Sequence, residues 1–405
     1  MADTLPLADV NMLDLTWVMA GPAATRVLAD YGATIVRVES TRRLDAGRTF
    51  GPFHDGHVGI EHSGFMQNMN AGKLGITLDL TLAAGRAVLL DLVRWANVVV
   101  ESFSPKAMRA WGLDYEALRQ VKPDIIMLST CLMGQYGPLA QFAGFGNLAA
   151  AISGFFGLTG WPDRPPAGPF SAYTDYVAPR FTAVAILAAL DYHRRTGQGQ
   201  YIDQSQVESA LHFLGPALLD YTVNRRTQER MGNRDAHMAP HGVYAAAGED
   251  RWVAIAVRTT LQWHVLCEVM QRPDLADDER FVTVSQRLAR QDELDAIITA
   301  WTRERDAHEI EALLQARGIP ASTVQTMHDV YDDPQLAHRG HFVTLDHPLH
   351  GTTTVEGSRF TLSRTPARIE RAGPTLGRDN CYVLETILGY SPERIAALEA
   401  QGVLR

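Results

Sequence analysis

The sequence predicts an α/β fold built on a parallel sheet, joined to a smaller α+β domain. Three observations carry this. Short β-branched runs alternate with helical patterns to about residue 200, a helix apolar nearly all round closes that region, and the texture of the chain changes near residue 225. The alternation matters most, because strand, helix and strand in succession build a parallel pair with the helix on its face.

The elements follow in order. VNMLDL reads as a strand with AATRVLADYG as its helix, and TIVRVES is the next strand. ITLDL precedes the helical AAGRAVLLDLVRWA, NVVVES precedes SPKAMRAWG, and DIIMLST is a further strand. Ligands in such sheets lie beyond the carboxyl ends of the strands. FTAVAILAALDYHRRTG is helical, with His193, Arg194 and Arg195 in its last turn and Gly197 where a left-handed cap is needed. Pro179 suits a first helical position, which places Asp175 just ahead of the helix, where backbone dipoles favour an anion.

NRRTQERMGNRDAHMAP is polar and reads as a loop, while HGVYAAAGEDRWVAIAV reads as a hairpin turning at Gly248, Glu249 and Asp250. Helical patterns then run from Leu261 to about Arg317. HFVTLDHPLHGTTTVEGSRFTL resembles short antiparallel strands and PERIAALEAQGVL a closing helix. A small α+β domain is therefore expected at 225–329, and a large α/β domain from 1–224 together with 330–405. No internal repeat or low-complexity segment interrupts this pattern.

At 405 residues and 46% hydrophobic, the chain is long enough for about two domains with sizeable cores. The net charge of -9 and the lack of a basic run argue against nucleic acid as a partner. Cys131, Cys267 and Cys381 are odd in number and far apart, which fits a reducing compartment rather than a disulfide framework. The opening MADTLPLADVNMLDL carries acids where a signal peptide needs a basic region, and the longest apolar stretch is too short for a membrane span. A cytoplasmic protein with no membrane partner is expected.

Several motifs carry chemistry only in the right context. GFGNLA, Gly144 to Ala149, has the form of a dinucleotide fingerprint, but the strand DIIMLST ends well upstream of it. HDGHVGIEH groups His54, His57 and His62 without matching a zinc pattern, so no metal is expected and the stretch reads as a solvated or substrate-facing loop. His338, His341, His347 and His350 read as surface. Cys131 follows a strand, where a nucleophile could sit, but has no partner histidine nearby, and no GxSxG is present. Asp175 lies in the stretch SAYTDYVAPRF, among Tyr173, Tyr176, Val177 and Phe181. It is either a cap and turn residue or a carboxylate nucleophile, and spacing leaves both readings open.

Six stretches together resemble the class III CoA-transferase family, which includes formyl-CoA transferase, carnitine CoA-transferase and the bile-acid-inducible enzymes. They are LDLTWVMAGPAATRVLADYGATIVRVES, NAGKLGITLDL, NVVVESFSPKAMRAWGLDYEAL, PDIIMLSTCLMGQYGP, YTDYVAPRFTAVAILAALDYHRRTGQGQYIDQSQVESAL and GIPASTVQTMHDVYDDPQL. The resemblance implies a large Rossmann-like domain built from both chain ends, a smaller domain between, and two ring-shaped subunits interlocked as a homodimer. It implies that Asp175 is the covalent nucleophile, which passes CoA from an acyl-CoA to a carboxylic acid through an aspartyl anhydride and an aspartyl-CoA thioester. Coenzyme A is then a substrate rather than a resident cofactor.

The resemblance also places CoA against Val18, Met19, Ala20, Leu78, Ser102 and Phe103. Lys73, Lys106 and Arg109 are candidates for its phosphates, because phosphate oxygens favour cations. Gly134, Gln135, Tyr136 and Gly137 are candidates for holding an oxyanion through backbone N–H groups. Two departures stand out. Arg109 sits one step before the position, here Ala110, where the family often has arginine, and Gly146 stands where the family commonly has a carboxylate. Phe145 and Gly146 cannot exchange a proton, which argues against the related 2-methylacyl-CoA racemases. That racemase or isomerase activity, and CoA binding without turnover, are the competing readings. The family's glycine-rich lid has no counterpart, and the loop with His237 and His241 is a candidate cover. Trp17, Phe145, Phe155, Phe156, Tyr173 and Tyr176 suggest a bulky apolar or aromatic acid as substrate.

Overall fold

The computed structural model describes residues 4–405, which form two compact units. Unit 1 runs to Phe156 and adds Gly168–Gln228 and Gln335–Arg405, and unit 2 is Gly157–Ala167 with Glu229–Pro334. The short segment Gly157–Ala167, which sequence texture assigns to the large domain, belongs with unit 2.

In chain order unit 1 opens with β1 (Asn11–Leu15), α1 (Ala20–Asp30), β2 (Thr34–Glu39), α2 (Gly64–Asn70), β3 (Leu74–Thr77), α3 (Ala83–Trp95) and β4 (Val98–Glu101). It continues through α4 (Pro105–Trp111), α5 (Tyr115–Val121), β5 (Ile126–Cys131), α6 (Gly146–Ile152) and α7 (Phe155–Leu158), whose end crosses into unit 2, to α8 (Tyr173–Thr196) and β6 (Tyr201–Ser205). The six strands pair in the order β3-β2-β1-β4-β5-β6, all parallel. This is the doubly wound order of the Rossmann fold, with its switch point between β1 and β4. Helices cover both faces. One core joins Leu13, Val36, Ile76, Leu89 and Val99 to the C-terminal residues Val383, Leu384 and Val403. The other packs Met12, Ile35, Val100 and Leu128 against Ile186 and Leu190 of α8.

The long helix starts earlier than its proline suggests. α8 begins at Tyr173 and carries Pro179 in its interior, so Asp175 lies in the first helical turn rather than ahead of it. Proline has no N–H, so the Asp175 carbonyl loses its usual donor four residues on. Past α8 come α9 (Gln206–Leu211) and α10 (Gly215–Asn224).

In unit 2, β7 (His241–Ala245) and β8 (Trp252–Ala256) form the hairpin, with Gly248 at φ 105° in its turn. β9 (Ala321–Thr323) pairs with β8, and Trp263, Phe281 and Leu294 lie in the apolar core under the sheet. Unit 1 is completed by the antiparallel pair β10 (Phe342–His347) and β11 (Gly351–Glu356) and by the helix Pro392–Ala400. Among the described residues no helix is long and apolar enough to cross a membrane.

Candidate active site

α8 returns the chain to β6 through a short link, so it runs antiparallel to the strands and its first turn lies at their carboxyl edge. Asp175 is in that turn and only 7% exposed. Burial raises its carboxyl to about 6, and a hydrogen bond from the Gly146 N–H pulls the other way. Gly146 opens α6, and a Cβ there would stand 2.8 Å from the Asp175 carboxyl carbon and 2.9 Å from the Ala172 carbonyl oxygen. Only glycine lets the backbone approach this closely. Where the family commonly places a carboxylate, this chain presents a backbone donor.

The surroundings hold this arrangement. Thr174 Oγ1 donates to the Gly146 carbonyl at 3.1 Å, which ties α8 back to α6. Gln204 of β6 donates through Nε2 to the Ala178 carbonyl at 3.0 Å and accepts from Thr182. Phe155 and Tyr173 meet edge to face at 5.1 Å, while Phe145 and Tyr176 are exposed. Tyr173 and Tyr176 share the first turns of α8 with the carboxylate.

A second constellation lies at the switch point. The turn from β1 into α1 contains Val18 with φ 63°, a left-handed backbone that a β-branched residue rarely adopts and that costs of the order of 1–3 kcal/mol. Side chains accept from three of its N–H groups, two of them from distant segments. Thr16 donates to Asp14 at 2.9 Å, Trp17 to Ser102 Oγ at 2.9 Å, and Val18 to both oxygens of Asp45 at 3.0 and 3.1 Å. Arg37 pairs with Asp45 and also donates to the Thr16 carbonyl at 2.8 Å. Trp17 and Phe103 pack edge to face at 5.6 Å, Phe103 and Trp111 at 5.2 Å, and the Arg43 guanidinium lies 5.3 Å from the centre of the Trp17 ring. Sequence reading missed Arg43 and Asp45, whose roles depend on contacts across the sheet edge.

Lys73 is a correction. It is fully buried, and its ammonium donates to Asp14, to the Pro22 carbonyl and to Asn70 Oδ1, each at 2.9 Å. With three donors and three partners, it has nothing left for a phosphate. Burial costs the Asp14 carboxylate, but Lys73 and Arg37 outweigh that and hold it at about 2. Leu78 is also enclosed in the core and offers a ligand no side-chain surface. Met19 and Ala20 are buried at the start of α1, whereas Lys106 and Arg109 are exposed, with Arg109 3.9 Å from Asp114.

The loop proposed for the oxyanion is partly committed elsewhere. Gly134 and Gly137 have φ of 84° and 95°, but the Gln135 N–H donates to both oxygens of Asp203 at 2.9 and 3.0 Å. Tyr136 is 82% exposed. Gln135 and Tyr136 border a cavity of about 430 Å³ whose walls include Glu101, Ser129, Tyr201 and Asp203. Burial raises Glu101 to about 7. Cys131 is pushed up to about 11 by burial and by Asp203, which favours the thiol over the nucleophilic thiolate.

The two histidine groups, read separately as a solvated loop and as surface, come together. His54, His62 and His347 pack around the His350 ring at 4.3, 4.7 and 4.4 Å between centres, and His350 Nε2 lies 3.0 Å from the Glu61 carbonyl. Burial, with His350 and Arg378 beside it, lowers His347 to about 4. Two of these rings stack on His350 face to face, so their nitrogens do not converge, and among the described residues no group of three or more potential ligands is placed to hold a metal ion.

Comparison with known proteins gives the family. Succinyl-CoA–D-citramalate CoA-transferase of Chloroflexus aurantiacus is 32% identical over 98% of both chains. Succinate–glutarate CoA-transferase of Agrobacterium fabrum is 33% identical over 94% of this chain and 95% of its own. The crystal structure of a CaiB/BaiF family protein from Brucella suis superposes with a TM-score of 0.87 at 29% identity, covering 95% of this chain and all of the other. The sequence model of CoA-transferase family III matches residues 7–380, and the protein belongs to that family.

Proposed function

We propose that the protein moves CoA from succinyl-CoA to a second dicarboxylic acid, with Asp175 as the covalent nucleophile. The observation that carries this is the Asp175 carboxylate itself: buried, raised to about 6 and packed closely against Gly146. A poorly solvated carboxylate is a better nucleophile than one in water, and a closed apolar setting protects an anhydride from hydrolysis. The two curated relatives take succinyl-CoA or succinate with citramalate or glutarate, which favours small dicarboxylic acids over a bulky aromatic one.

In the first step an Asp175 oxygen bonds to the thioester carbonyl carbon, the C–S bond breaks, and the electron pair leaves as CoA thiolate. The thiolate then attacks the aspartyl carbonyl of the mixed anhydride, releasing the donor carboxylate and leaving an aspartyl-CoA thioester. The acceptor carboxylate repeats both steps in reverse and restores Asp175. No net proton or electron is exchanged, so the enzyme needs neither an external base nor a redox cofactor for this cycle. CoA would lie on unit 1, along the Val18–Ala20 turn, with Ser102, Phe103, Arg43, Lys106 and Arg109 around it. Ligands of doubly wound sheets bind at this switch point, and its cations face solvent as phosphate partners must.

The test is to mix the protein with succinyl-CoA, quench, and map adducts by peptide mass. A succinyl or CoA adduct on the peptide carrying Asp175 is expected. Turnover with the adduct on another residue, or with none trapped under any quench, would overturn the assignment.

We also propose an interlocked homodimer. Leu218, Leu219, Tyr221 and Val223 of α10 are exposed, an apolar surface that calls for a covering chain. Light scattering should give twice the chain mass even at high dilution, and a stable monomer would sink the idea.

A further inference from the structure

We propose that Asp45 is a positioning residue for coenzyme A, and that its carboxylate holds the β1–α1 turn in the shape the ligand meets. This rests on the reading that CoA lies along that turn. Val18 has no intrinsic reason to stay left-handed, because the β-branched side chain crowds its own backbone there and an extended conformation is available. Glycine would adopt this backbone freely, yet the chain carries valine. What replaces glycine's freedom is the carboxylate of Asp45, buried and aimed at the Val18 N–H through both oxygens.

The clamp is itself well anchored. Asp45 Oδ1 accepts from the Gly47 N–H at 2.8 Å, and Oδ2 pairs with the buried Arg37. Arg37 reaches on to the Thr16 carbonyl, so one ion pair grips the turn on both sides of Trp17. Arg37 also lies 3.3 Å from Glu39, which pairs with Arg48, and Arg48 pairs with Glu61. The turn is thus tied to a chain of buried charges across the carboxyl edge of the sheet. Releasing Asp45 lets Val18 relax and shifts Trp17, whose ring carries Phe103 and Arg43 with it.

The test is a double-mutant cycle read by calorimetry of coenzyme A binding to the full-length protein. Asp45→Asn should weaken binding about tenfold, the usual consequence of losing a hydrogen bond to a charged group. In the Val18→Gly background the same substitution should cost less than about threefold, because glycine needs no clamp to hold the turn. The loss should fall on KM for the acyl-CoA donor and not on kcat. An equal loss in both backgrounds would assign Asp45 to the general stability of the Arg37 pair and overturn the proposal, as would no loss at all. If Asp45→Asn does not fold, Asp45→Glu carries the test, since it keeps the charge beside Arg37 but moves the oxygens off the Val18 N–H. A weakening of about threefold to tenfold is expected, and unchanged affinity overturns the proposal. A wild-type protein that binds no coenzyme A would instead remove the underlying reading.

Discussion

Replacing Asp175 with asparagine should lower turnover by about 10⁴-fold or more, the scale on which a covalent nucleophile is lost, while coenzyme A still binds. The same substitution should stabilise the fold at neutral pH. An aspartate whose carboxyl is raised to about 6 in the native state, against an ordinary 3.8, binds its proton more tightly when folded. Stability from this group is therefore present in acid and declines as pH rises from about 4 to about 6. At pH 7 the buried charge costs about 3 kcal/mol at most, which asparagine does not incur. In the wild type only the anion attacks the thioester, so the rate of the first half-reaction should fall tenfold per pH unit below about 6 and level off above it. Rapid-quench release of succinate from succinyl-CoA across this range, with thermal melts of both proteins, tests each part. A variant that keeps a tenth of the activity would exclude Asp175 as the nucleophile.

Gly146→Ala should lower kcat about a hundredfold with little change in the affinity for CoA. The added Cβ would stand inside contact distance of the Asp175 carboxyl and of the Ala172 carbonyl. The carboxylate can swing away, but Ala172 presents backbone and cannot, so α6 and the first turn of α8 must part. Displacing a reacting group by about 1 Å is enough for a hundredfold loss. Steady-state kinetics with succinyl-CoA and glutarate would read this, and an unchanged kcat would show that the Gly146 contact positions nothing.

Much of unit 1 is legible in the chain because parallel strands buried on both faces declare themselves as apolar runs. β1 to β5 all fall on such runs. β6 does not. YIDQS is polar for an edge strand, and only its pairing with β5 makes it part of the sheet. The start of α8 is hidden by Pro179, which marks a helix beginning in most sequences but here sits in the interior.

The site divides in the same way. Asp175 can be singled out because one residue in a recognisable stretch carries the role. Gly146 cannot be read as a donor, since its use depends on a close approach between two helices. Lys73 in NAGKLG reads as a phosphate partner, yet its counter-ion Asp14 lies in β1, with α1, β2 and α2 between them in the chain. The four clustered histidines come from segments that only the completed fold brings together. Local pattern reveals strands and nucleophiles, whereas buried ion pairs and close approaches belong to tertiary structure.

The way the last residues close the first core bears on how the protein is made. Gly75 donates to Asp379, Thr77 to Asn380 and Asp79 to the Val403 carbonyl, and Val383, Leu384 and Val403 fill the same core as Leu13 and Val36. While residues 379–403 are still to be added, β1 to β3 are already outside the exit tunnel with one face of their core unfinished. The nascent chain therefore keeps apolar surface bare until residues 379–403 have emerged, and this interval is when chaperones matter most.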